Sequence, residues 1–509
     1  MKGSKKIKKN IFFGIFSQLL IFAVGLIVPR LILTSYGSEV NGLLSTVTQI
    51  FVYVGLLEAG IGNAAINALY KPITENNRYD ISDVFSATQK YYRKVTMIYA
   101  LCVVLISVIY PFCITSSLSY LEVSLVIGFQ GLSGALTFFF VAAYKQVLVA
   151  DGRNYIVSNI SLIIYILTSA VKIVLMSVGV NVILLQAGYC LVHCAQVIIF
   201  IAVMKKKYPW LEKHDKPDMA ALSQRNAFLV HEISGAVFSS TDTFVLSTFC
   251  SLMVASVYSV YNMVFVALNS LISSVNAGLY YILGQSYARN DGSYEKIHDT
   301  YDVLYMAFVF TLFSVAYVLM CPFVKLYTVG VTDVEYVDYL LPLLFVSIQL
   351  LSCGRATSAR LITISGHAKA TQVRSITEAI INLTVSITLA NLIGIYGVLI
   401  GTIVALLYRS NDIIIYANKK ILKRSPFKTY SKFLLFILIF GAIVLVEHVA
   451  RDALIELCES YLAFIICGIV FTICSFMIYF GAVLLFNNNI REVVVKKLLK
   501  KRAADKESV

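Results

Sequence analysis

The sequence has 509 residues, 59% hydrophobic and only 14% charged, with 42 Lys+Arg against 28 Asp+Glu and a net charge of +14. A water-soluble chain of this length needs more polar surface than that, so a soluble globular domain is excluded. About 35 of the 42 Lys+Arg fall in eight segments (1–10, 71–94, 145–154, 205–225, 285–300, 365–374, 418–432 and 487–509) that alternate with nearly uncharged ones. Cationic loops resist translocation, so this alternation defines an all-α polytopic membrane protein of about fourteen transmembrane helices. Both ends are expected on the cytoplasmic side. The positive charge is then topology and does not point to nucleic acid.

The basic start, Lys2 to Lys9, runs into an apolar stretch over 11–34 that is too long for a signal-peptide core and reads as a permanent helix. The remaining expected spans are 41–70, 95–115, 121–145, 155–178, 182–204, 226–250, 254–285, 301–321, 338–364, 375–394, 396–417, 433–450 and 461–486. Each suffices to cross roughly 30 Å of hydrocarbon at about 1.5 Å per residue. None shows the period-2 alternation of an outer-membrane barrel. Outward loops are very short, as in SYGSEV (35–40) and VGVN (178–181). The one long hydrophilic stretch, KKKYPWLEKHDKPDM (205–219), holds the only tryptophan and reads as a linker between halves. The ten cysteines are scattered with no CxxC pair, so they read as packing residues rather than a zinc site or disulfide framework.

The halves repeat at an offset of about 215 residues. Asn10-Ile11-Phe12 falls on Asn226-Ala227-Phe228, Asp151-Gly152-Arg153-Asn154 on Gly366-His367-Ala368-Lys369, and Val178-Gly179 on Ile393-Gly394. Six helices per half make the repeat parallel, with a pseudo-twofold along the membrane normal. The expected organisation is a six-helix lobe (1–204), a cytoplasmic linker (205–225), a second six-helix lobe (226–417), and two extra helices with a basic tail (418–509). Two parallel lobes are the architecture of alternating-access carriers, with a substrate site near the midplane. No Walker motif is present and no enzymatic activity or catalytic residue is expected.

The stretch VPRLILTSYGSEVNGLLSTVTQIFVYVGLLEAGIG (28–62) is similar to the start of bacterial capsular and O-antigen repeat-unit flippases. Together with twelve helices in two parallel repeats plus two, it resembles the polysaccharide transporter branch of the multidrug/oligosaccharidyl-lipid/polysaccharide exporter superfamily. The resemblance implies movement of an undecaprenyl-diphosphate-linked oligosaccharide repeat unit from the inner to the outer leaflet of the bacterial cytoplasmic membrane. Such cargo keeps its tail in lipid, while its diphosphate and sugars need a hydrated, cationic cleft.

Charges within the helices are therefore the candidate site, because each costs roughly 2.5–3.5 kcal/mol to insert. Lys145 and Arg360 are separated by the repeat offset; they are expected to receive the diphosphate at the inner mouth, or to snorkel to headgroups. Arg355 lies deeper, facing the cleft or an acid on a neighbouring helix. Arg30, after Pro29, either holds the diphosphate on exit or caps its helix near headgroups. Lys172 lies deep in the fifth helix and reads toward the cleft. Arg409 precedes Asp412 by three residues, which favours a local pair. Glu58, His231, Asp242 and Glu378 are candidates for binding a coupling proton or sodium ion, or for pairing with the arginines; His231 and Asp242 share one helix face. Asn262, Asn269 and Asn276 recur every seven residues, a polar stripe suited to glycan hydroxyls or to a helix partner. No metal site and no organic cofactor are expected.

Two other functions compete. A multidrug antiporter of the same superfamily binds organic cations, which calls for acids in excess, and generally has twelve helices. A peptidoglycan-precursor flippase has fourteen helices and an arginine-lined cavity. The last two helices are expected to form a groove for the polyprenyl tail or a packing surface. Glu447, Arg451, Asp452, Glu456 and Glu459 form an acidic outer patch between them, and the basic tail is expected on anionic headgroups. Expected partners are the lipid-linked oligosaccharide and membrane lipids. The resemblance leaves room for polysaccharide polymerase or glycosyltransferase machinery, though no residue shows it, and a monomer fits the pattern.

Overall fold

The computed structural model describes residues 2–58, 61–222, 241–289, 294–486 and 491. In a hydrocarbon layer every backbone N–H and C=O must be satisfied within its own segment, and the described elements are accordingly all helices or helical turns. They are α1 (Lys2–Gly55), α2 (Ile61–Glu75), α3 (Arg78–Cys113), α4 (Tyr120–Phe140), α5 (Ala142–Ala150), α6 (Asn154–Val178), α7 (Val182–Lys207), α8 (241–249), α9 (Leu252–Arg289), α10 (Tyr294–Tyr327), α11 (Leu341–Gly354), α12 (Ala356–Ile364), α13 (Gln372–Ile393), α14 (Ile395–Tyr416), α15 (Phe427–Leu457) and α16 (Tyr461–Phe486). Among the described residues, eleven spans are long and apolar enough to cross a membrane. The chain is a multi-pass membrane protein, and stripes such as Leu462, Ile465, Ile466, Ile469, Val470 and Ile473 on α16 stand exposed as a surface for lipid.

The other three expected spans explain the difference from fourteen. The first two are fused in α1, where the expected loop 35–40 is a one-residue kink: Gly37 has φ 83° and ψ 177°. The carboxylate of Asp333 accepts from Ser38 N and Ser38 Oγ, both at 2.6 Å, and so caps the helix that restarts there. The second span also breaks after Gly55, where a short 3₁₀ turn (Leu56–Glu58) precedes α2. Most of the seventh, 226–250, lies outside the described residues, as do His231 and the match of Asn10-Ile11-Phe12 to 226–228.

The chain forms two compact units, Met1–Ser259 with Gly330–Val334, and Val260–Val329 with Glu335–Val509. Both contain the same broken helix. In the first unit the helix stops at Phe140 and resumes as the nine-residue α5; in the second it stops at Gly354 and resumes as the nine-residue α12. Each short helix ends at a glycine in the left-handed region, Gly152 (φ 68°) and Gly366 (φ 78°), and the next helix ends at another, Gly179 (φ 76°) and Gly394 (φ 59°). The break and the first glycine recur at 214 residues and the second glycine at 215. Gly152 therefore matches Gly366, not His367, which corrects the sequence alignment of this turn by one residue.

The linker is structured over its described part, and it docks on the first unit. Tyr208 donates to Asp151 Oδ2 at 2.6 Å, and burial plus that bond push its hydroxyl pKa up. Ser86 Oγ accepts from His214 N at 2.9 Å, and Asp83 Oδ2 accepts from Asp218 N at 2.9 Å. In the second unit α15 and α16 pack on α10 through Phe310, Phe436, Phe440 and Tyr479, with Ser314 and Tyr479 hydroxyls 2.8 Å apart. Glu447 lies inside α15, 6% exposed, held by Arg451 at 2.9 Å and Tyr317 at 3.0 Å. The outer acidic patch is thus partly a buried ion pair, because α15 runs to Leu457 rather than ending near 450.

The α13–α14 hairpin depends on close backbone approach. A Cβ on Gly401 would stand 2.6 Å from Ser386 N, and one on Gly397 would stand 2.2 Å from Leu389 O. Gly401→Val is expected to destabilise the purified protein by about 1–3 kcal/mol or more. Gly441→Ala, where a Cβ meets nothing within 4 Å, leaves the melting temperature in detergent unchanged. Equal melting of the two variants contradicts this packing.

Candidate functional site

The interior of the first unit carries a chain of polar side chains at membrane depth. At one end Glu58 follows the kinked α1; its Oε2 is buried without a hydrogen-bond partner among the described residues. Lys145, exposed on α5, is within electrostatic reach of it. Nearby, Gln146 donates to Tyr92 OH at 3.1 Å. Tyr99 lies within reach of both Glu58 and Tyr189. At the other end Lys172 of α6 places its Nζ 4.9 Å from the ring centre of Tyr189 on α7. The Tyr189 and His193 rings are 4.5 Å apart and tilted by 50°, Tyr189 hydrogen-bonds Gln130 of α4, and His193 Nδ1 sits 2.9 Å from Gln196 Oε1. Among the described residues no carboxylate forms a salt bridge with Lys172. A cation over an aromatic face gains about 2 kcal/mol when desolvated, which offsets only part of the cost of an ammonium in hydrocarbon.

The second unit is arranged in the opposite way. The break between α11 and α12 falls on Arg355, whose Nη1 is 2.6 Å from Glu378 Oε1 on α13. Arg409 of α14 reaches the other oxygen of Glu378 at 3.5 Å and Asp412 at 2.5 Å, and donates to Ser375 Oγ at 2.8 Å. Arg374 reaches Asp412 at 2.6 Å. Three guanidiniums thus share two carboxylates. Arg409–Asp412 is the local pair expected from spacing, but it belongs to this larger network. Glu378 is committed to two arginines, and Arg355 is the paired rather than the free cation. The deep location that made both attractive as site residues is what requires them to pair.

The remaining candidates separate. Lys145 and Arg360 are both exposed, but Lys145 is the fourth residue of α5 and Arg360 the fifth of α12. Counted from the helix break, Arg360 matches Gln146, and one residue is about 100° of helix rotation, so the two cations do not occupy matching positions. Arg30 is half-buried on α1. Asp242 accepts from Tyr258 OH at 3.0 Å within the first unit. Asn269 donates to Gln349 Oε1 at 2.8 Å, an interhelix bond of the kind expected if the stripe faces a helix partner; Asn262 is half-buried. Among the described residues no three His, Cys, Asp or Glu side chains converge as metal ligands. Sequence reasoning missed Tyr189, His193, Gln130 and Arg374. Tyr189 and His193 are one turn apart, a visible signal obscured by 32 tyrosines.

No family model matches the sequence, and no curated protein matches it. Solved structures do. The lipid II flippase MurJ in an inward closed conformation is similar over 94% of this chain and 100% of its own, with TM-score 0.69 and 12% identity. A multidrug resistance MATE family transporter of the MOP superfamily is similar in its inward-facing conformation over 83% of this chain and 94% of its own, with TM-score 0.59 and 14% identity. The same class of transporter in an outward-facing conformation gives TM-score 0.53 at 14% identity, over 87% of this chain and 97% of its own. The chain has the fold of the multidrug/oligosaccharidyl-lipid/polysaccharide transporters, the superfamily that the sequence resembles.

The two units differ in how removal of charge should act. Glu378→Ala leaves Arg355 and Arg409 short of a counter-charge and is expected to destabilise the protein by about 3–5 kcal/mol. Arg355→Met with Glu378→Met recovers much of that loss. A double-mutant cycle on melting in detergent checks this; additive losses contradict the network.

Proposed function

We propose that this protein is a flippase that moves an undecaprenyl-diphosphate-linked oligosaccharide repeat unit from the inner to the outer leaflet of a bacterial cytoplasmic membrane, by alternating access, for export of a cell-surface polysaccharide. The observation that carries this reading is Lys172. It is an ammonium at membrane depth beside an aromatic and amide-lined interior, with no carboxylate in salt-bridge contact among the described residues. A diphosphate supplies the missing counter-charge, and Gln130, Tyr189 and Gln196 offer donors and acceptors for sugar hydroxyls. Lys145, near Glu58, serves as the entry cation, with Arg30 of the same unit as a further contact. Asn262 is assigned to the glycan. A coupling proton or sodium ion is assigned to the Glu58, Asp242 and His231 set.

An organic-cation antiporter is disfavoured by the same lysine, which repels cationic cargo. The similarity to the MurJ flippase, over 94% of this chain against 83% for the inward-facing MATE transporter, supports a lipid-linked cargo. It also makes a peptidoglycan precursor the second reading, since that cargo presents the same diphosphate.

Purified protein in liposomes carrying undecaprenyl-diphosphate-linked oligosaccharide tests this by sugar accessibility to an external enzyme. Wild type is expected to transfer the lipid between leaflets. Lys172→Gln is expected to slow transfer roughly tenfold or more, while Lys172→Arg retains it. Equal rates in wild type and Lys172→Gln would sink the assignment.

A further inference from the structure

The first turns of α10 hold a second charged cluster, separate from the candidate site. Glu295, Asp299 and Asp302 face Arg424, from the turn after α14, and Lys428 and Lys432 of α15. Arg424 lies 3.0 Å from Glu295 Oε1 and 2.9 Å from Asp299 Oδ1. Burial works against its charge, and hydrogen bonds to Asp299 and Glu295 outweigh this and raise its pKa. Lys428 Nζ is 2.9 Å from Glu295 Oε1 and 3.2 Å from Asp299 Oδ2. Lys432 Nζ is 2.7 Å from Asp299 Oδ1 and 3.7 Å from Asp302 Oδ2. Thr357 of α12 donates to Asp302 Oδ1 at 2.6 Å. Carboxylates and cations balance with His298 neutral.

His298 is enclosed by this cluster. It and Asp302 are each 1% exposed, one helical turn apart. The ring Nδ1 is 3.8 Å from Asp299 Oδ1, and among the described residues neither ring nitrogen nor Asp302 Oδ2 has a hydrogen-bond partner. Leaving such atoms unpaired costs about 1–3 kcal/mol each, so the fold keeps them where something uses them. A metal ion is disfavoured by the three cations around the ring. A proton fits: it bonds to one ring nitrogen, adds a single charge, and finds Asp299 Oδ1 at 3.8 Å as a counter-charge, with the Asp302 carboxylate one helical turn away.

We propose that His298 and Asp302 form a buried proton-binding site that adjusts the attachment of α15 to α10. A proton taken from water onto the ring makes an imidazolium, and no other bond is broken. The imidazolium then shares Asp299 and Asp302 with Lys432 and weakens the tie from α15. The titratable and charged groups around the cluster are Tyr294, Glu295, Asp299, Tyr301 and Asp302 on α10, Tyr287 on α9, Arg360 on α12 near Tyr301, Arg424, and Lys428 and Lys432 on α15.

The test uses the full chain in lipid nanodiscs with ¹³C/¹⁵N-labelled histidine, where six histidines give separable ring signals. The His298 signal is assigned by its loss in His298→Gln and, independently of that variant, by its response to Asp302→Asn. It is expected to change between the neutral and the imidazolium form as pH is lowered. Asp302→Asn removes a favourable charge and moves the midpoint to lower pH; Lys432→Gln removes a repulsive one and moves it to higher pH. A ring fixed in one state from about pH 5 to 8.5, or a midpoint that neither variant moves, overturns the proposal. No cargo is present, so this result is independent of the substrate assignment.

Discussion

A charge inside hydrocarbon must meet a counter-charge, water or a ligand, and the organisation of both units follows from how each meets that requirement. In the second unit Arg355, Arg374 and Arg409 are met by Glu378 and Asp412. The pairs run between α11–α12, α13 and α14, so electrostatics adds to the close backbone packing that joins α13 and α14. In the first unit Lys172 is met by the ring of Tyr189. In the second unit a carboxylate reaches each of these guanidiniums, whereas among the described residues no carboxylate forms a salt bridge with Lys172.

The broken helix places these groups. The break at Val141 separates α4 from α5, on which Lys145 lies within electrostatic reach of Glu58. The matching break puts Arg355 itself at the joint, where its side chain reaches Glu378. The same backbone device thus serves an ion pair in one unit and an exposed cation in the other. Glycines in the left-handed region end both short helices, since only there does a missing Cβ allow the tight turn.

Much of this was legible in the sequence. The alternation of Lys and Arg gave the membrane class, and α16 was expected at 461–486 and runs over Tyr461–Phe486. The repeat could be read from Gly179 and Gly394 because a required positive φ preserves the residue type. Its register near Gly152 could not, because a one-residue difference between halves lies in a turn with no apolar pattern. Helix breaks at Val141 and Arg355 escaped notice because hydropathy runs through them without interruption. The kink at Gly37 is stabilised by Asp333, almost three hundred residues away, and no local pattern encodes that capping. Site residues were hardest: depth identified Arg355, Glu378 and Lys172 as costly charges, but which are paired is decided by neighbours on other helices.

The central claim is that Lys172 supplies the unpaired charge that holds a diphosphate. The most direct measurement is thermal stabilisation of the detergent-solubilised protein by a short-chain, water-soluble isoprenyl diphosphate. Wild type and Arg355→Gln should both gain melting temperature as the ligand is added, each from its own baseline, and Lys172→Gln should not. Stabilisation retained by Lys172→Gln would contradict the account.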